Sequence, residues 1–513
     1  MSELIFELNK KMRFFYQNSL LTISSLLVAG LIVRILYADF EIPLSLDSLE
    51  YFVYAVDISR IGHLPELYSP ANNGWAIFLG MVFSIIEFDN ALNYMQMQKI
   101  ISIIFSSITI IPIYYLIRQF FDKKFAILGV SIFAFEPKII MNSVIGIADP
   151  LYIFLISVSF AIVFNKKFSL VGFVIISIAT MVRPEGIFVF GGIFIIYILK
   201  NKENKKILLT SILAIIIFIS ILSPMMIYKN SIHGDDRIFG RISETIDYHT
   251  KPPEETNQNS GGVFILKGIE NTPKYLGWSM IPIFILLVPI GIIILLKEDL
   301  RKNYLIIIPT ITTSIPIFYV YSIPLLETRY TLFLFPLFCL IAIFSLKNFI
   351  ERSKNQNLLI LSIFLIIVIT NLIFLDYNKM DYSSEKNSLA VSKFIFFNAN
   401  AVNSFDYGKF LKSTEVIENW PNLPKMLPDG HILAKIPKIP IFSESSIEQF
   451  VLESSNKGLT HIVINSKNND EAIYSELIIN EEKYNFLEKV FEKEINQDTI
   501  IKIFRINYEK IKV

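Results

Sequence analysis

The 513-residue chain is poor in the residues that build most soluble sites. It has one cysteine, Cys339, so an intrachain disulfide and a Cys-x-x-Cys metal site are both impossible. The five histidines (His63, His233, His249, His431 and His461) show no His-x-x-x-His spacing, which argues against a histidine-rich metal centre. Charge is scarce as well: 18% of residues are charged, against about 25% in an ordinary soluble domain. A formal net charge of +1 gives no general case for nucleic-acid binding. No Gly-x-Gly-x-x-Gly occurs in a strand–helix context, so nothing points to a nucleotide cofactor or a nucleotide-sugar donor. There is no Asn-x-Ser/Thr sequon, which disfavours a glycosylated lumenal protein, and we find no internal repeat and no heptads.

What is abundant is hydrophobic sequence. Hydrophobic residues make up 53% of the chain and mean hydropathy is +0.52. They arrive in blocks close to the roughly 20 residues that cross a bilayer. We read eleven spans, near 19–38, 98–119, 124–141, 149–165, 168–182, 185–199, 207–228, 277–296, 303–321, 326–346 and 357–376. The first follows Lys10, Lys11 and Arg13 as a signal peptide would, but no Ala-x-Ala site follows it. The 13 residues 74–86 are too short to span and read as an interfacial segment.

Lys and Arg set the orientation. With a cytoplasmic N-terminus, eighteen of them fall in the inner loops, for example Lys123/Lys124, Lys166/Lys167 and Lys200–Lys206, while the short outer turns carry the single cations Lys138, Arg183 and Arg329. Counting 74–86 as a span, or merging the two helices around Arg183-Pro184, breaks this pattern. The expected architecture is an α-helical polytopic membrane domain, 1–376, with outer loops 39–97 and 229–276. It is followed by an extracytoplasmic α/β domain, 377–513, in a multi-pass protein of the cell membrane. In that tail, Ser446–Ser454 reads as an amphipathic helix, Thr460–Asn465 as a buried strand and Ile500–Ile506 as an alternating strand.

Ionisable residues inside or at the rim of apolar spans are costly and mark function. Here they collect on the outer side: Arg34, Asp47 and Glu50, Glu136 and Lys138, Asp149, Arg183 and Glu185, and Glu327, Arg329 and Tyr330. A transporter places such groups at mid-span on broken helices. Each also has a purely structural role open to it. Asp47 with Glu50 spells a capping box, Asp149-Pro150 a helix start, and Arg34, Lys138 and Arg329 can snorkel to headgroups.

The order of these motifs resembles the GT-C class of membrane glycosyltransferases, especially the protein O-mannosyltransferase and aminoarabinose-transferase group. The residues that carry the resemblance are Asp47-Ser-Leu-Glu50-Tyr51…Ala55…Gly62, the apolar segment after Pro70, Tyr114…Lys124, Ile147-Ala-Asp149-Pro150, Arg183-Pro-Glu185-Gly186 and Arg329-Tyr330…Pro336, over roughly 19–346. The first loop lacks an Asp-Asp or Asp-Glu pair. No Trp-Trp-Asp motif is present, which argues against an oligosaccharyltransferase, and the tail has no counterpart that we can align.

The resemblance implies a sugar donor linked to a polyprenyl (dolichyl-type) phosphate and a protein or glycolipid hydroxyl acceptor. Asp47 is expected to act as general base and Arg329 to clamp the phosphate, with Tyr330 and one of Arg183, Lys138 or Arg34 assisting. Glu50, Tyr51, Glu136, Asp149, Glu185 and Glu327 complete the expected substrate site. Carboxylates there suit Mg or Mn, though no metal is demanded. The other readings are a transporter or flippase of lipid-linked or amphiphilic solutes, and a membrane scaffold that works through its tail.

Overall fold

A computed structural model describes residues 18–66, 73–165, 169–203, 205–234, 261–298, 300–323, 327–379, 382–403, 410–419, 436–440, 446–466, 477, 481–496 and 499–511. Most of the outer loop 229–276, the basic N-terminal residues and Pro70 lie outside the described residues. The chain forms two compact units: one comprises residues 1–38, 69–78 and 98–379, the other residues 39–68, 79–97 and 380–513.

The first unit is helical. In chain order its helices are α1 (Ser19–Tyr37), then, beyond α2 and α3 below, α4 (Ala91–Ile108, from Gln98 on) with α5 (Ile110–Arg118), α6 (Lys123–Ala134), α7 (Pro137–Ser143), α8 (Asp149–Val163), α9 (Ser169–Val182), α10 (Gly186–Asn201), α11 (Ile207–His233), α12 (Gly261–Ser279), α13 (Phe284–Lys297) and α14 (Leu300–Ser322). A 3₁₀ stretch, Thr328–Leu334, then leads into α15 (Phe335–Glu351) and α16 (Gln356–Tyr377). α15 lies at the centre, packed on α6 and α13, with Phe335 to Ile343 buried. α1, α11 and α16 instead turn Leu and Ile outwards (Leu20, Leu36, Ile219, Ile366 and Ile373 are exposed), the face a bilayer would cover.

Six helices are long and apolar enough to cross a membrane, or up to eight if each bent pair is one span, so the eleven expected spans do not all reach spanning length among the described residues. Two differences have local causes. The span read at 124–141 is bent by 52° between α6 and α7. Pro137 cannot continue α6, and Glu136 starts α7 by accepting the backbone N–H of Lys138 at 3.3 Å. The span read at 277–296 begins later, because the chain turns by 118° between α12 and α13. The break at Arg183-Pro184 falls where expected. Gly186 is required there: a Cβ would sit 2.8 Å from the Cα of Thr180 as the chain folds back.

The second unit contains the first loop and the C-terminal domain. The loop carries α2 (Asp47–Ile61) and α3 (Gly74–Ile85), a 12-residue apolar helix that is divided between the two units at Leu79. Leu46 occupies the N-cap position of α2 with φ 51° and ψ −134°. For a residue bearing a Cβ this conformation costs about 1–3 kcal/mol. The capping box therefore does not form as the spacing suggests: Asp47 is the first helical residue and Glu50 the fourth.

The C-terminal domain has α17 (Ser383–Asn398), β1 (Val402–Asn403), α18 (Leu411–Asn419), β2 (Lys438–Ile439), α19 (Ile447–Ser455), β3 (His461–Asn465), β4 (Leu487–Asn496) and β5 (Thr499–Ile506). The strands form one mixed sheet in the order β2-β1-β3-β5-β4, with β1 parallel to both neighbours and β5 antiparallel to β3 and β4. Residues of β3 and β5 read as strands from sequence, such as Ile462, Val463, Ile503 and Phe504, fill a core shared with Phe450 and Val451 of α19.

Candidate active site

Within the helical unit the loop between α9 and α10 presents Arg183 to the start of α8. Asp149 is fully buried and both of its oxygens are engaged. One pairs with the Arg183 guanidinium; the other accepts from the Asn142 amide at 3.0 Å. The carboxylate is therefore not the helix cap that the Asp-Pro dipeptide suggests; Ala148 holds that position. Glu185, two residues beyond Arg183, accepts a second guanidinium bond at 3.0 Å. Two carboxylates on one guanidinium give this trio a formal charge of −1.

Aromatic rings enclose the guanidinium. It lies 5.2 Å from the ring centre of Tyr330 and 4.8 Å from that of Phe333. Tyr330 also meets a second cation: the Arg329 guanidinium is 5.5 Å from the same ring. Arg329 is itself paired with Glu327 at 2.5 Å, and its side chain keeps a quarter of its surface exposed where that of Arg183 keeps 6%. Two arginines far apart in sequence thus share one tyrosine, and of the two Arg329 is the more exposed. Tyr152 of α8 stacks edge-on against Phe333 at 4.8 Å. It is fully buried, and its hydroxyl finds no hydrogen-bond partner among the described residues.

Not every expected residue joins this cluster. Glu136 is buried at the α6–α7 break, where it bonds the Lys138 backbone, and the Lys138 ammonium lies over the Phe374 ring at 5.8 Å. Arg34 neither snorkels nor stands free for a phosphate. It is wholly buried, donating to Ser106 at 3.0 Å and to the carbonyls of Gly30 and Ala134 at 2.9 Å each. Sequence reasoning missed Asn142, Tyr152 and Phe333. Asn142 lies seven residues before Asp149, across an irregular turn that no periodicity describes. The two aromatics are indistinguishable, in the sequence, from the many others in apolar runs.

The remaining expected residues belong to the second unit. Asp47, Glu50 and Tyr51 all lie on the first two turns of α2, with Tyr51 buried. The Glu50 carboxyl is raised above its ordinary range, by burial first and by neighbouring Asp47 second, while Lys412 pulls it back. Ten residues after Asp47, Asp57 is buried with one carboxylate oxygen unpartnered, and burial raises its pKa to about 7 against the pull of Arg60. No three carboxylates, histidines or cysteines gather among the described residues, and Asp149 and Glu185 both face Arg183.

No protein-family model matches the chain, and no curated protein matches it by sequence. Solved structures do match its fold. The oligosaccharyltransferase of Archaeoglobus fulgidus, in complex with Zn and sulfate, superimposes with a TM-score of 0.57 at 10% identity, over 91% of this chain and 71% of its own. The same enzyme, AglB, with an inhibitory peptide and a dolichol-phosphate, gives 0.54 at 11% identity, over 97% and 75%. ArnT from Cupriavidus metallidurans, bound to undecaprenyl phosphate, gives 0.56 at 10% identity, over 96% of this chain and 98% of its own. Coverage this complete takes the likeness past the spans and into the tail, which sequence alone does not align. The chain therefore shares the fold of these two enzymes, in line with the expected architecture.

Proposed function

We propose that this protein is a multi-pass membrane glycosyltransferase that moves a sugar from a polyprenyl phosphate to a hydroxyl acceptor on the extracytoplasmic face, where its C-terminal domain also lies. The observation that carries the reading is the pairing of the GT-C fold with an Arg329–Tyr330–Arg183 cluster at the ends of apolar helices. The likeness extends over 98% of ArnT and over 71–75% of AglB.

In this reading the acceptor O–H loses its proton to the Asp47 carboxylate as its oxygen attacks the anomeric carbon. The bond from that carbon to the phosphate oxygen breaks, the configuration inverts, and polyprenyl phosphate leaves with its charge met by Arg329, a fork-shaped donor suited to phosphate. Tyr330 adds a hydroxyl and holds Arg329 by its ring. Arg183, neutralised by Asp149 and Glu185, is reassigned from phosphate clamp to the frame behind Tyr330. Glu50 and Tyr51 flank the base. No metal-dependent step is assigned.

The decisive assay uses a labelled polyprenyl-phosphate sugar with the full-length protein in membranes. Asp47→Asn should insert and fold normally while transfer falls about 10²–10⁴-fold, the usual contribution of a general base. Transfer at the wild-type rate would end the assignment of Asp47.

A further inference from the structure

Residues 39–68 and 79–97 of the first loop and the C-terminal domain are parts of one compact unit, although residues 98–379 separate them in the chain. Their contacts form a strap. Lys386 of α17 pairs with Asp39 at 3.3 Å and with Glu41 at 2.9 Å. Five residues after Asp39, the Leu44 carbonyl accepts a 2.5 Å hydrogen bond from the hydroxyl of Ser413 on α18. Ser413 is fully buried, and Leu44 nearly so.

Just past that bond comes Leu46 at φ 51°, a residue that is 68% exposed. It is held from both ends. Ahead, the Leu46 carbonyl accepts the N–H groups of Leu49 at 3.0 Å and Glu50 at 3.1 Å, which starts α2 at Asp47. Behind, Ser413 fixes Leu44. Residues kept in sparsely populated backbone regions persist only where their surroundings over-determine them.

We propose that the C-terminal domain holds the base. Ser413 of α18 is a positioning residue that fixes the Leu44 carbonyl, and through the strained Leu46 turn it sets the direction of the Asp47 carboxylate. Neighbouring Lys412 belongs to the same arrangement, since its charge acts on Glu50 beside Asp47. The inference rests on the reading of Asp47 as base and gives the tail a part in that site.

The test is a set of full-length variants assayed for sugar transfer beside Asp47→Asn. Ser413→Ala should lower kcat about tenfold and leave the donor KM within twofold, because aim is lost and donor binding is not. Glycine adopts φ 51° freely. Adding Leu46→Gly to Ser413→Ala should therefore regain at least half of the lost rate, a rescue that general destabilisation of the domain would not show.

Hydrogen exchange in the intact protein provides a second measurement. The Leu49 and Glu50 amides should exchange faster in Ser413→Ala; unchanged protection overturns the clamp whatever the activity. If Ser413→Ala does not fold, Leu46→Gly alone decides: a higher thermal midpoint supports a strained, held turn, and a lower one overturns it. Wild-type kcat in Ser413→Ala with Asp47→Asn inactive removes the clamp and leaves the base. Wild-type transfer by Asp47→Asn removes the base itself.

Discussion

The acids around Arg183 and the acids of α2, one group in each unit, are held in opposite ways. In the helical unit Asp149 and Glu185 are matched to Arg183, walled by aromatic rings and largely withdrawn from solvent. In the loop unit Glu50 and Asp57 are raised by burial, and Asp57 leaves an oxygen unpartnered. Both oxygens of Asp149 are already engaged, one by a guanidinium and one by an amide. On the proposed reading, the Arg183 trio is framework and the proton chemistry belongs to α2.

The largest effect should come from breaking the frame. Arg183→Met leaves Asp149 and Glu185 facing one another in a low-dielectric site, and removing one partner of a buried pair costs about 3–5 kcal/mol. Thermal unfolding in detergent should show that loss, and Arg183→Met combined with Asp149→Asn should recover part of it. A midpoint equal to wild type would mean that the trio is solvated and the contrast between the units is false.

Next in size is Arg329→Ala. Arg329 is a partly exposed cation already paired with Glu327, so its loss should raise the donor KM about tenfold, the equivalent of roughly 1.4 kcal/mol. An unchanged donor KM would exclude it from phosphate binding. Together the two variants separate the arginines that share Tyr330: Arg183 by stability, Arg329 by affinity.

How much of this was legible in sequence follows from the range of the forces. Apolar runs fix helices locally, so Ser19–Tyr37, Leu300–Ser322 and Gln356–Tyr377 sit within a few residues of their expected bounds. Alternation made β5 legible for the same reason. The 118° turn before Phe284 interrupts an apolar stretch without a break in composition, and no window of hydropathy reports it. At the site, Asp149, Arg183, Glu185, Arg329 and Tyr330 were named because charge among apolar residues is conspicuous. That Asp149 answers to Arg183 and Arg34 to the Ala134 carbonyl depends on contacts 34 and 100 residues apart. Sequence also offered no reason to join the tail to the first loop, because Ser413 and Lys386 are ordinary residues until their partners are seen.

The smallest expected effect concerns Asp57. Its pKa is raised to about 7, well above that of an unfolded chain, so the folded unit holds this proton more tightly than the unfolded one. Stability from this group is complete below the unfolded pKa near 4 and is lost as pH rises through about 7. Asp57→Asn cannot ionise and escapes that loss. Its advantage over wild type should be absent at pH 4 and should reach about 1–3 kcal/mol at pH 8, allowing for the partner the amide itself lacks. Thermal midpoints of both proteins across that range measure the difference. A constant difference at every pH would show that the carboxyl titrates normally, and with it would go the contrast between acids that are paired and acids that are only buried.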